Sequence, residues 1–186
     1  MPQNGIRNIL QKNPLIPVVT FNNTNDVDSC VSKLKTEGIA CMEITLRTDF
    51  AFDAIAYAKK TYGKDFLIGV GTIVSRSQVE KATALEVDFM VSPGISKSLA
   101  PYFEQSQIPF IPGIATPSEI IQGMQYGYDT FKFFPANLYG GIPALKTFGQ
   151  VFPSIKFCPT GGIKADTYKD FLALDNVIAV GGSWMG

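Results

Sequence analysis

The chain has 186 residues, enough to bury a core of its own, and 46% hydrophobic with 17% charged residues fits one compact domain over 1–186. Sixteen basic and sixteen acidic residues cancel, and no basic block or stacking platform is present, so no nucleic-acid or other polyanion partner is expected. Histidine is absent, which removes histidine acid–base catalysis, histidine-containing triads and histidine-ligated metals.

In chain order, a short leading helix is expected near 6–11, followed by an apolar β-rich run at 16–21. Val27, Cys30, Val31 and Leu34 then recur at the i, i+3, i+4, i+7 spacing of a helix face. A second run covers 41–47, and Ala51, Ala54, Ile55 and Ala58 repeat the helical spacing. The third run, 67–73, leads to Ser75-x-x-Gln78, which reads as a capping box. Runs at 89–92 and 110–114 follow. Thr116-Pro117-Ser118-Glu119 then supplies an N-cap, a proline at the first helical position and a glutamate three residues after the cap. The last three runs are 130–135, 155–159 and 177–180, with an apolar stripe at Tyr168, Phe171 and Leu172 before the final one.

Eight short runs, mostly apolar on both faces and separated by helical patterns, predict an α/β fold of the (β/α)₈ TIM-barrel type. An open doubly wound sheet is the alternative, but no GxGxxG follows the first run. The sequence stops at Trp184-Met185-Gly186, just after the eighth run, so an eighth helix is expected to be absent. Either the chain is truncated, or that barrel face is expected to be covered by the leading helix or a neighbouring subunit. Cys30, Cys41 and Cys158 are odd in number and lack a CxxC spacing, which predicts reduced thiols in a cytoplasmic setting. No segment is long and apolar enough to span a bilayer, and the N-terminus, with Asn4, Arg7 and Asn8, lacks a signal-peptide core.

A barrel places chemistry at the C-terminal ends of its strands. Lys132, set in Thr130-Phe131-Lys132-Phe133-Phe134-Pro135, is the residue that demands explanation. Burial strips water from an ammonium and favours the neutral amine, which is a nucleophile toward ketones. The opposing reading packs its stem on aromatics and keeps its head in water. Side-chain alternation puts Glu43, Thr45 and Arg47 on one face of their run and Lys132 with Phe134 on one face of theirs. Glu43 and Arg47 read either as a structural ion pair or as site residues. Thr72 ends its run as a loop cap or as a partner for Arg47 in holding a carboxylate. Gly161-Gly162 and Gly181-Gly182-Ser183 each read alone as a tight turn. Placed after the seventh and eighth runs, they read as an anion site. Cys158 lies nearby and reads as a small core residue rather than a nucleophile.

The ordered set Glu43-Ile44-Thr45-Leu46-Arg47, Gly69-Val70-Gly71-Thr72, Ser92-Pro93-Gly94, Ile111-Pro112-Gly113-Ile114, Phe131-Lys132-Phe133-Phe134-Pro135-Ala136, Phe157-Cys158-Pro159-Thr160-Gly161-Gly162-Ile163 and Gly181-Gly182-Ser183-Trp184 closely resembles the 2-keto-3-deoxy-6-phosphogluconate (KDPG) aldolases. These are also known as 4-hydroxy-2-oxoglutarate (KHG) aldolases. The resemblance implies a class I lyase on a trimeric barrel that needs neither metal nor cofactor. It further implies Lys132 as the Schiff-base lysine, Glu43 as general acid and base, and Arg47 with Thr72 on the pyruvate carboxylate. Pro93 and Phe134 correspond to pocket walls, and Thr160, Gly161, Gly162 and Ser183 to the end that binds phosphate. Many relatives carry arginine where this chain has Thr20, and most continue into a final helix.

The implied reaction is a reversible retro-aldol cleavage releasing pyruvate, with glyceraldehyde 3-phosphate from the phosphorylated sugar acid or glyoxylate from 4-hydroxy-2-oxoglutarate. The paired glycines favour the phosphorylated substrate. An aldolase for the galactonate epimer, a phosphosugar epimerase or isomerase, and a non-catalytic phosphosugar-binding barrel are the rival readings. The epimerase reading is weakened by the lack of histidine.

Overall fold

A computed structural model describes residue 3 and residues 5–186. Helix α1 (Ile6–Lys12) precedes strand β1 (Leu15–Val19), and strands then alternate with helices. Helix α2 (Thr24–Thr36) leads to β2 (Cys41–Thr45), α3 (Ala51–Tyr62) to β3 (Leu67–Gly71), and α4 (Arg76–Ala84) to β4 (Phe89–Val91). Helix α5 (Ala100–Ser106) is followed by β5 (Phe110–Ile111) and β6 (Gly113–Ile114), the two halves of one stave. Helix α6 (Pro117–Gln125) leads to β7 (Thr130–Phe133), α7 (Gly141–Val151) to β8 (Lys156–Pro159), and α8 (Tyr168–Leu172) to β9 (Val180–Gly182). A 3₁₀ turn, Ser183–Met185, comes last.

All strand pairs are parallel. One sheet runs β5-β4-β3-β2-β1-β9 and the other β6-β7-β8. The stave broken at Pro112 joins them on one side, and the bridges Phe157–Val177 and Thr160–Gly181 join them on the other. The result is the expected eight-stave barrel. Pro112 has no N–H to give a ladder, which is why the predicted run 110–114 is interrupted there. Its carbonyl still accepts from the Lys132 amide at 2.9 Å.

The last stave departs from the sequence reading. The expected strand at 177–180 is displaced to Val180–Gly182, with Val177 contributing only a bridge. Gly181 and Gly182 pair with Ile16 and Pro17 and are buried. A Cβ at Gly182 would overlap the Trp184 ring, so the absent side chain admits the indole rather than making a loop. The second glycine pair is therefore strand, and Ser183 is the first residue beyond it.

Helix starts follow the sequence closely. Both capping boxes form, Ser75 with Gln78 and Thr116 with Glu119. The four residues of each spacing on α2 and α3 are buried against the strands. The core has two layers. Outward strand residues such as Ile44, Phe131 and Phe133 pack under the helices. Ile16, Cys41, Phe89, Val91, Ile111 and Cys158 fill the barrel with Ile6 and Leu10 of α1. Those two α1 side chains, four residues apart, stopper the bottom, each burial contributing about 2 kcal/mol.

Polar contacts of the leading segment act at the same end. The Gln3 side-chain amide donates to the carbonyls of Phe110 and Thr130 and accepts from the amides of Asp129 and Thr130. Arg7 donates to the carbonyls of Asp129 and Ser154. With the floor closed, the opening lies at the C-terminal ends of the strands. After β9 the described residues contain only the 3₁₀ turn. Among the described residues no helix is long and apolar enough to cross a membrane.

Candidate active site

Lys132 and Glu43 enter the barrel from opposite walls, β7 and β2, because alternation turns both inward. Lys132 Nζ donates to Glu43 Oε1 at 3.1 Å and Oε2 at 3.3 Å. The two residues are 6% and 3% exposed. That burial settles two choices left by the sequence. The lysine head is not in water, and the glutamate pairs with Lys132 rather than with Arg47. Phe131 and Phe133 face the helices, while Phe134 shares the face of Lys132, its ring centroid 5.3 Å from Nζ.

Thiols complete the surroundings. Cys158 stands in register with Lys132 on the adjacent strand. Burial pushes its thiol up to about 12, with the Lys132 charge pulling it down and the Glu43 charge pushing it up. Cys41 is likewise held at about 12, by burial first and by Cys158 second. Both are neutral core groups rather than nucleophiles.

The ends of β2 and β3 carry Arg47 and Thr72. The Leu46 amide donates to the Gly71 carbonyl at 3.0 Å, the last bond of that ladder, so Arg47 and Thr72 leave neighbouring strands at the same level. Arg47 is exposed at the rim and has no carboxylate partner among the described residues. Thr72 adopts φ +64°, a region that costs a β-branched residue energy and tends to mark functional positions. Pro93 is half-buried beyond β4, and its carbonyl lies where a Cβ on Gly113, the register partner of Lys132, would fall.

The β7 and β8 ends interlock. Ala136 donates to the Thr160 carbonyl at 2.8 Å and Asn137 to the Gly161 carbonyl at 3.2 Å. Gly161 and Gly162 have φ +102° and +70°, which suits glycine alone. Neither amide has an acceptor among the described residues. Thr160 is buried beside Gly181, and Ser183 is exposed at the rim. A cavity of about 570 Å³ opens there, bounded by Thr20, Lys33, Arg47, Ser183 and neighbours. Its walls include Arg47 but not Lys132 or Glu43. Thr20 hydrogen-bonds Thr45 at 2.7 Å, so that position adds a hydroxyl beside the Lys33 and Arg47 charges.

All ten residues singled out from sequence thus gather at one end of the barrel. Lys132 with Glu43 forms the buried centre, Arg47, Thr72, Pro93 and Phe134 one flank, and Thr160, Gly161, Gly162 and Ser183 the other. An amine whose proton has a carboxylate acceptor at bonding distance, shielded from water, can form an imine and move protons around it. The sequence reading assigned no role to Gly71, on which the Glu43 carboxylate rests. Its only signal was a glycine inside a strand.

The family model described as "KDPG and KHG aldolase" matches residues 6–186. The 2-dehydro-3-deoxy-phosphogluconate aldolase of Dickeya dadantii is 40% identical over 177 residues, covering 95% of this chain and 83% of that protein. The KHG/KDPG aldolase of Escherichia coli K12 is 39% identical over 178 residues, with 95% and 83% covered. The crystal structure of a KDPG aldolase from Legionella pneumophila, with pyruvate captured as a covalent carbinolamine intermediate, superposes with a TM-score of 0.92 at 41% identity. It covers 96% of this chain and 86% of that one.

Proposed function

This chain belongs to the KDPG and KHG aldolases, and from that premise we propose how its own residues perform the cleavage. The reaction is that of a class I aldolase, a lyase cleaving 2-dehydro-3-deoxy-6-phosphogluconate to pyruvate and glyceraldehyde 3-phosphate, or 4-hydroxy-2-oxoglutarate to pyruvate and glyoxylate. The observation that carries the assignment of residues is the buried contact of Lys132 Nζ with both Glu43 oxygens, at 3.1 and 3.3 Å.

Glu43 takes a proton from the Lys132 ammonium, and the freed lone pair attacks the C2 ketone. A proton passes from the attacking nitrogen to the new alkoxide to give the carbinolamine, and the same carboxyl then returns its proton to that hydroxyl, which leaves as water and yields the protonated imine. With the C4 hydroxyl deprotonated toward Glu43 through water, the C3–C4 bond breaks. Its electron pair enters the imine, leaving an aldehyde and an enamine. Protonation at C3 and hydrolysis release pyruvate and restore Lys132. The positive imine is the electron sink.

Arg47 and the Thr72 hydroxyl hold the carboxylate, Arg47 through its bidentate fork. Pro93 and Phe134 wall the ketone. Thr160, the amides of Gly161 and Gly162, and Ser183 take the distal end, which supports the phosphorylated substrate. A homotrimer in the cytoplasm is part of the same proposal. The family resemblance and exposed apolar side chains such as Ile121 and Leu138 support the first, and three unpaired cysteines the second. Light scattering should return three times the 20.2 kDa chain mass.

The decisive experiment incubates the protein with pyruvate, reduces with borohydride and maps the modified peptide. One reduced pyruvate adduct on Lys132 is expected. A folded sample without an adduct, or with the adduct on another lysine, sinks the assignment.

A further inference from the structure

Strand β3 meets the active centre at a glycine. Gly71 pairs with Thr45, the second inward position along β2 after Glu43, and it is buried in ordinary strand conformation. A Cβ built on Gly71 would overlap Glu43 Oε1 and stand 2.6 Å from Cδ and 2.7 Å from Cγ. The Glu43 side chain therefore occupies the space that a side chain at Gly71 would take. The three nearest atoms to the added Cβ all belong to Glu43.

We propose that Gly71 is a positioning residue for the aldol reaction: its missing side chain is the seat of the Glu43 carboxylate and sets the contact with Lys132. The backbone does not require glycine here, because its φ lies outside the left-handed region. What a methyl at this position meets first is the Glu43 side chain. A Glu43 carboxylate pushed aside by the methyl changes its contacts with Lys132 Nζ, now 3.1 and 3.3 Å, and a displacement of about 1 Å in a catalytic group costs roughly 100-fold in rate. The inference rests on the role given to Glu43 above.

The test is a set of variants assayed for kcat, KM and unfolding midpoint. Gly71→Ala should lose about 100-fold in kcat with little change in KM. Glu43→Asp, whose carboxylate is one methylene shorter, should also lose activity. The double variant Gly71→Ala, Glu43→Asp should be no slower than the worse single, because the shorter acid clears the new methyl. A Gly71→Ala enzyme within about threefold of wild type, or losses that multiply to about 10,000-fold in the double, overturns the proposal.

If Gly71→Ala folds poorly, the midpoint decides. Adding Glu43→Ala removes the colliding group and should restore the midpoint to that of Glu43→Ala alone. A double variant as unstable as Gly71→Ala shows that the methyl meets something else. Full activity in Glu43→Asp and Glu43→Ala would instead remove the catalytic reading of Glu43, while the midpoint comparison still reads the steric contact.

Discussion

Lys132 and Cys158 face one another in register across β7 and β8, the first bonded to Glu43 and the second a neutral thiol. The amine thus has the Glu43 carboxyl group in hydrogen-bond reach and a thiol wall on the adjoining strand.

That arrangement predicts thiol behaviour. Cys41 and Cys158 should resist a disulfide reagent in the folded protein and react on denaturation. Burial raises both from an ordinary 9.0 to about 12. Between those values the unfolded chain has released protons that the folded chain keeps, so stability falls as pH rises from 9 towards 12. The contribution is fully present below pH 9. Between urea unfolding at about pH 8 and at about pH 11, each thiol should account for a fall on the order of 1 kcal/mol for every pH unit above about 9. The Cys41→Ala, Cys158→Ala variant should show a shallower fall.

The ion pair makes its own prediction. Lys132→Ala should abolish turnover and the borohydride adduct, and leave the Glu43 carboxylate buried without its partner. A loss of about 3 kcal/mol is expected in chemical denaturation, less when Glu43→Ala is added. Equal losses in the single and double variants would show that the pair is not coupled.

Arg47→Ala removes the fork from an exposed rim and so spares the fold. KM for the oxo acid should rise about 10- to 100-fold, the worth of about 1.5–3 kcal/mol for hydrogen bonds to a charged group. The imine should still be trapped at high pyruvate. Steady-state kinetics with a trapping assay separate the two effects.

Thr72→Gly should stabilise the protein by about 1 kcal/mol, because glycine relieves φ +64°. The same change removes a hydroxyl proposed to hold the carboxylate, so KM should rise. Thermal unfolding and KM moving in these opposite senses would mark strain kept for binding.

Much of this was legible in sequence because it is local. Apolar runs located the staves, Ser75–Gln78 and Thr116–Glu119 announced two helices, and alternation turned Glu43 and Lys132 inward. What escaped depends on distant neighbours. Gly181 and Gly182 look like a turn until Trp184 is seen filling the space beside Gly182. A threonine such as Thr72 is expected in extended conformation, and only the turn off β3 forces it elsewhere. Gly71 acquires meaning when β2 is laid against β3.

The side chain of Gln3 makes the same donor and acceptor contacts that a peptide group makes in a ladder, toward the starts of β5 and β7. It is a surrogate rung, supplied from outside the barrel, closing a seam where two staves have diverged. The strand it steadies carries Lys132 two residues later. The alignment of the nucleophile therefore leans on an amide at the far end of the molecule.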